Sequence, residues 1–182
     1  VKSPGVSLYR PEIKKLQQMG IKITSNTNLY MSNKSMNTKV ICITGTKGKS
    51  TTSSLLAHTL KALGKSVCLG GNIGKPLLDF VDENPDYMVA ETSSYQCADF
   101  VGEPELGILV ALYSAHLPWH GTLERYHGDK MNMIRQAKKK IDIRKLDFSI
   151  KNGFFCEGNN HLFSLSSLPL YGAHNAQNAC VV

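Results

Sequence analysis

Gly45-Thr46-Lys47-Gly48-Lys49-Ser50-Thr51 has the composition of a loop that holds phosphate. Its glycines let backbone N–H groups close around phosphate oxygens, and a helix starting at the loop's end adds a positive field. Lys49 can reach terminal phosphates, and the Ser50 hydroxyl can ligate Mg²⁺. The spacing is the short G-x-x-G-K-S-T form, because position 43 is Ile where the longer loop has Gly. A chance glycine turn would not supply a lysine and two hydroxyls in these places.

Glu91 ends the run Val89-Ala90-Glu91. A carboxylate at a strand end is usually solvated or paired; downstream of a phosphate loop it is expected to hold a metal, directly or through water. Gly70-Gly71-Asn72-Ile73-Gly74 reads equally as a turn or as a place where a ligand approaches the backbone, with Asn72 supplying hydrogen bonds. His116 follows the fourth apolar run and is read as a metal or phosphate group. His120 and His127 are read as surface histidines, and Lys130 alone as a solubilising lysine on a helix.

These groups need elements to position them. Val40–Ile43 reads as a buried strand and Ser50–Leu63 as a helix with Leu55, Leu56, Leu60 and Leu63 on one face, stopped by Gly64. Val67–Leu69, Tyr87–Ala90 and Gly107–Val110 read as further strands, and Leu123–Lys140 as a long helix that Lys138-Lys139-Lys140 closes. Apolar strands alternating with helices predict an α/β fold: a mostly parallel sheet with helices on both faces, ligands lying beyond the strands' carboxyl ends. Upstream, Pro11–Met19 reads as a short helix stopped by Gly20, and Ile21-Lys22-Ile23 alternates like a strand. The polar stretch Thr24–Lys39 is the best boundary in the chain. Residues 1–37 therefore read as the tail of a domain whose beginning is missing, and 38–182 as a second domain.

At 182 residues, 42% hydrophobic and 19% charged, the chain is neither disordered nor long enough for several domains. No apolar run reaches the ~18–20 residues of a membrane helix, and the first residues lack a signal-peptide core. The net charge of +7 suits an anionic partner, but the lysine run is a solvated helix end before it is a nucleic-acid patch. One Trp and no basic–aromatic repeat argue against nucleic acid. Five cysteines (Cys42, Cys68, Cys97, Cys156, Cys180) form no Cys-x-x-Cys pair, which indicates reduced thiols and the cytoplasm.

Taken in order, Gly45–Thr51, Gly70–Gly74, Glu91-Thr-Ser-Ser-Tyr-Gln96, His116-Leu-Pro-Trp-His-Gly121 and Tyr171-Gly-Ala-His-Asn-Ala-Gln-Asn178 resemble the motifs of the Mur ligases. They span nearly the whole chain. The Ser3-Pro4-Gly5 start and the Glu-x-Ser-Ser-x-Gln form are most similar to the D-glutamate-adding branch. The resemblance implies the family's central phosphate-loop domain, truncated, preceded by the tail of a Rossmann-like uridine-nucleotide-binding domain. It also implies ATP-dependent synthesis of an amide between UDP-N-acetylmuramoyl-L-alanine and D-glutamate, through an acyl phosphate, in peptidoglycan assembly.

On the same resemblance, Gly45, Thr46, Lys47, Gly48, Lys49, Ser50 and Thr51 bind ATP, with Asn175 and Asn178 approaching the nucleotide. Ser50, Glu91 and His116 hold Mg²⁺; Lys49, His116 and Lys130 serve catalysis, Lys130 matching a lysine that becomes carbamylated. Asn72 and Ser93 touch the muramoyl substrate, and Ser3, Pro4 and Gly5 lie near the uridine nucleotide. A cytoplasmic monomer without nucleic-acid or membrane partners is expected.

The chain departs from the family pattern of Asn-(x)3-Asp/Glu-His-x-Asp: Ala111, Ala115 and Pro118 stand at its other positions. Lys47 replaces a common Asn, and the Lys130–His174 stretch is short, as if a strand or more had been lost. On the resemblance, the family's third domain is expected to lie outside this chain, so the chain alone is expected to show weak nucleotide binding and no turnover; positioning of the amine can contribute ~7–11 kcal/mol. The alternatives are another Mur ligase or folylpolyglutamate-type synthase, and a non-catalytic nucleotide-binding remnant.

Overall fold

The computed structural model describes residues 1–146, 148–167, 172–179 and 182. Strands β1 (Lys39–Thr44), β2 (Val67–Gly71), β3 (Tyr87–Glu91), β4 (Leu106–Leu109) and β5 (Lys139–Asp142) form a parallel sheet in the order β2-β3-β1-β4-β5. Alternation along β1 explains its unbroken apolar sequence, since successive side chains point to opposite faces and both are covered. Val40 and Cys42 pack with Met88, Leu77, Phe80 and Met133, whereas Ile41 and Ile43 pack with Val89, Ile108, Leu56 and Ala57. Helix α3 (Lys49–Ala62) supplies the second group; α2 (Asn26–Asn33), α4 (Ser94–Ala98) and α6 (Leu123–Gln136) cover the first. The short α5 (Leu117–His120) precedes α6.

The chain turns one way from β1 toward β3 and β2 and the other toward β4 and β5. The crevice at the carboxyl end of β1 is thus the place where such sheets bind ligands.

Two readings need correction, and one helix was unforeseen. Ile21-Lys22-Ile23 joins no strand; it is an extended link after α1 (Pro11–Gln18). The polar Thr24–Lys39 stretch contains α2, capped by the Ser25 hydroxyl, and Tyr30 sinks fully into the core. The stretch that reads as a boundary thus carries a helix whose Tyr30 packs with Val40 and Met133. Helix α6 ends at Gln136, and Lys139-Lys140 open β5 because their backbone is drawn into the ladder beside β4, with exposed side chains. Lys138 donates its backbone N–H to the Pro104 carbonyl and its ammonium to Glu105.

The short region after Ile141 carries an antiparallel meander of β6 (Phe148–Lys151), β7 (Phe154–Glu157) and β8 (Asn160–Ser164), followed by α7 (Ala173–Ala179). A cavity of ≈ 440 Å³ lies between this meander and the end of β4, walled by Val110, Leu112, Ile143, Leu146, Phe148 and Phe155. Cys42, Cys68, Cys97 and Cys156 are free thiols; Cys180 and Tyr171 lie outside the described residues.

Candidate functional site

The sharp exit from β1 makes the loop. Gly48 caps α3 with φ 89°, a left-handed conformation that glycine adopts without strain. A Cβ there would also stand 2.6 Å from the Asn178 Oδ1, so α7 closes directly over the loop. Thr46 anchors the other side: its N–H donates to the Ala111 carbonyl at 2.6 Å, and its hydroxyl shares a hydrogen bond with the Tyr126 hydroxyl at 2.8 Å. Among the described residues, the Lys47, Gly48 and Lys49 amides take no hydrogen-bond partner, while Lys49 Nζ folds back toward the Thr46 carbonyl at 3.4 Å. A helix N-terminus with unused donors beside an ammonium is a fitting cradle for phosphate. Lys47 and Ser50 are exposed and Thr51 is half-buried on the first turn of α3.

The strand register brings Glu91 to this cradle, since Glu91 lies opposite Ile43 on β1 and Thr92 N–H donates to the Ile43 carbonyl. Its carboxylate is 2% exposed. Asn72 Nδ2 donates to Oε1 at 2.8 Å, whereas Oε2 is buried with no partner among the described residues. Gly71 explains part of the glycine cluster: at φ 105°, a Cβ would collide with the Glu91 carbonyl. The close approach is thus of β2 to β3, and Asn72, expected on a substrate, steadies the acid.

No group of three His, Cys, Asp or Glu side chains stands together for a metal among the described residues. An orphaned carboxylate oxygen nevertheless fits Mg²⁺, which is commonly held by one or two carboxylates plus substrate phosphates.

Helix α6 ties the loop from below. Lys130 is 2% exposed and donates to the Gly45 carbonyl at 2.8 Å, with its Nζ 5.1 Å from the Tyr126 ring centroid. Burial lowers its pKa to about 8; the nearby Cys97 thiol opposes that shift and Lys49 adds to it. An amine at this pKa is partly neutral, and so nucleophilic, near physiological pH.

His116 is exposed and left-handed at φ 54°, and its Nδ1 hydrogen-bonds the Tyr95 hydroxyl at 3.0 Å. Pro118 fits the first turn of α5, where its missing N–H costs nothing. His120 is not on the surface: it is fully buried, Nδ1 to Asp129 Oδ2 at 2.6 Å and Nε2 to Ser94 Oγ at 3.0 Å. His127 is partly buried, its Nε2 without a partner among the described residues.

Ser93 caps α4: its hydroxyl accepts from Gln96 N–H while Gln96 Oε1 accepts from Ser93 N–H. The Gly5 carbonyl accepts from Trp119 Nε1 and the Ser3 carbonyl from Lys2, which pairs with Asp99. Gly5 thus sits against α5, while Ser3 is held through Lys2 beside Asp99. Asn178 is buried against Gly48; Asn175 is half-buried, one turn earlier on α7. Sequence reasoning missed Tyr95, Tyr126, Asp129 and Ser94. A spacing signal existed for Tyr126 and Lys130, one helical turn apart.

Residues 43–155 match the Mur ligase middle domain. A UDP-N-acetylmuramoyl-L-alanine--L-glutamate ligase from Micromonospora sp. is 35% identical over 206 residues, covering 100% of this chain and 45% of the relative. The protein of the same name from Xanthomonas oryzae pv. oryzae is 35% identical over 214 residues, covering 100% and 46%. The chain thus spans about half the length of the curated relatives it matches. Among solved structures, UDP-N-acetylmuramate-alanine ligase MurC from Thermotoga maritima superposes with TM-score 0.59 at 21% identity, covering 97% of this chain and 47% of that one. E. coli FolC in complex with ADP gives 0.59 at 15%, covering 97% and 62%. Both likenesses show the fold.

Proposed function

The chain belongs to the Mur ligase family, and from that premise we propose that it is the ATP-binding part of a ligase that joins glutamate to UDP-N-acetylmuramoyl-L-alanine during peptidoglycan synthesis in the cytoplasm. The observation that carries this reading is the proximity of amides at Gly48 and Lys49, unused among the described residues, to a buried acid, Glu91, whose Oε2 has no partner among them. Residues 1–37 are assigned to the tail of the uridine-binding domain and 38–182 to the central domain.

In this reading the Gly45–Thr51 backbone and the Lys49 ammonium hold the β- and γ-phosphates, with Asn175 and Asn178 toward the nucleotide. Glu91, His116 and Ser50 would hold Mg²⁺, which would supply positive charge against the phosphates; the substrate carboxylate takes the γ-phosphoryl group and ADP leaves. The glutamate amine then displaces phosphate. Lys130, buried yet partly neutral, is suited to add CO₂ as a carbamate. A bicarbonate-dependent ¹³C signal absent from Lys130→Ala is the expected mark. Asn72 and Ser93 face the muramoyl substrate; Ser3, Pro4 and Gly5 lie toward its uridine end.

The binding step is tested by calorimetric titration with ATP. Lys49→Ala should weaken it at least tenfold, and equal binding by the variant would overturn the reading. The family resemblance favours D-glutamate, while the cited relatives are named for L-glutamate. ADP release with each enantiomer, by a chain of the relatives' full length, decides between them; the 182-residue chain alone is expected to give none. A binding-only reading is favoured by Ala115 and Pro118, which stand where the family carries acids. It predicts ATP binding without turnover even in the longer chain.

A further inference from the structure

Ser94, His120 and Asp129 are connected as a hydroxyl, an imidazole and a carboxylate, yet all three are buried. No substrate can reach Ser94, and Asp129 Oδ1 is already taken by the Tyr9 hydroxyl at 2.6 Å. The trio does something other than nucleophilic chemistry. Each partner comes from a different element: Tyr9 from the N-terminal segment, Ser94 from the start of α4, His120 from α5 and Asp129 from α6, one residue before Lys130.

His120 lies one turn after His116 and donates its backbone N–H to the His116 carbonyl at 3.2 Å. Its own carbonyl accepts from Arg125, whose guanidinium lies 4.5 Å from the Tyr9 ring centroid. The His120 ring stacks on Tyr95 at 5.7 Å, and Tyr95 hydrogen-bonds His116 Nδ1. His116 is one of two non-glycine residues with positive φ among the described residues. A left-handed β-carbon costs about 1–2 kcal/mol, and such conformations persist only where the surroundings over-determine them. Around His116, the Tyr95 hydroxyl engages the ring and the Trp119 and His120 N–H groups engage the carbonyl.

We propose that His120 is a positioning residue: bridged between Ser94 and Asp129, it holds the left-handed turn that presents His116 Nε2, and with it the start of α4, to the phosphate loop. This rests on the reading of that loop as a Mg–ATP site with His116 at the metal. Nδ1 of His116 is engaged by Tyr95, so only Nε2 is left for a ligand.

The test is ATP titration of the 182-residue chain with excess Mg²⁺ and again with EDTA, followed by the fluorescence of Trp119, which stacks on Tyr95 at 4.8 Å. His120→Ala should lose at least tenfold of the Mg²⁺-dependent gain in affinity and keep the metal-free affinity. His116→Ala should behave alike, and the double variant no worse than either. His120→Asn, whose amide can still donate to Asp129, should recover part of the gain and keeps the test usable should the alanine variant not fold. Equal loss with and without Mg²⁺, or an intact gain, would overturn the proposal. Absence of ATP binding in the unsubstituted chain would instead sink the nucleotide reading. The positioning role is then decided by imidazole ¹⁵N shifts of His116: a fixed tautomer in the parent and an averaged one in His120→Ala supports it, and identical spectra refute it.

Discussion

At the residue scale, Lys130 shows how position alters chemistry. In water its amine would hold its proton to about 10.5; beneath the phosphate loop, burial lowers that to about 8. Between those values the unfolded chain binds a proton that the folded chain has released, so this residue makes stability rise with pH across that window. Below about pH 8 the buried ammonium carries its full desolvation cost. Thermal denaturation of the parent and Lys130→Met from pH 7 to 10 should therefore show the parent gaining on the variant. Parallel curves would mean that the amine is not desolvated. Tyr9, Tyr30 and Tyr126 also have raised values through burial, but they are common to both proteins and cancel.

At the element scale, α6 is the strut of the site, presenting Tyr126 to Thr46, Asp129 to His120 and Lys130 to Gly45. Its N-terminus depends on Thr122, whose hydroxyl accepts from Arg125 N–H at 3.2 Å. Thr122→Ala should cost about 0.5–2 kcal/mol of stability by chemical denaturation. Some elements were legible in the sequence because local signals agreed. The glycine loop between an apolar strand and a helix, Gly20 and Gly64 at helix ends, and the four apolar runs of β1 to β4 all stand where expected. Others were not. Nothing in Asn26–Asn33 has a helical apolar stripe; the helix forms because Ser25 caps it and one tyrosine docks. Lys139-Lys140 look like a helix end, yet tertiary pairing with β4 overrides that preference. The buried state of His120 depends on residues far along the chain, Ser94 among them, which no spacing reveals.

At the scale of the whole molecule, the packing is more continuous than the composition. Tyr30, from the stretch that reads as a boundary, fills the same core as β1 and α6, although its hydroxyl is buried without a partner among the described residues. Tyr30→Ala should cost about 3–5 kcal/mol, as for other large core aromatics. Tyr30→Phe removes an unsatisfied polar group and should be neutral or stabilising by up to about 1–3 kcal/mol. Loss of stability in the phenylalanine variant would reveal a partner for that oxygen. The placing of β1 between β3 and β4 does for the molecule what no single motif can: it opens the crevice where loop, acid and lysine meet.

One edge strand of the sheet, β5, opens on two exposed ammonium groups, Lys139 and Lys140. An open rung of backbone amides invites a second molecule to zip alongside, and repulsion between cations is what discourages it. That deterrent is ionic and shortens to about 3 Å in 1 M salt. Self-association watched by light scattering should accordingly grow with ionic strength in Lys139→Thr/Lys140→Thr less steeply than in the parent, because the variant has already lost its guard and associates even in dilute buffer.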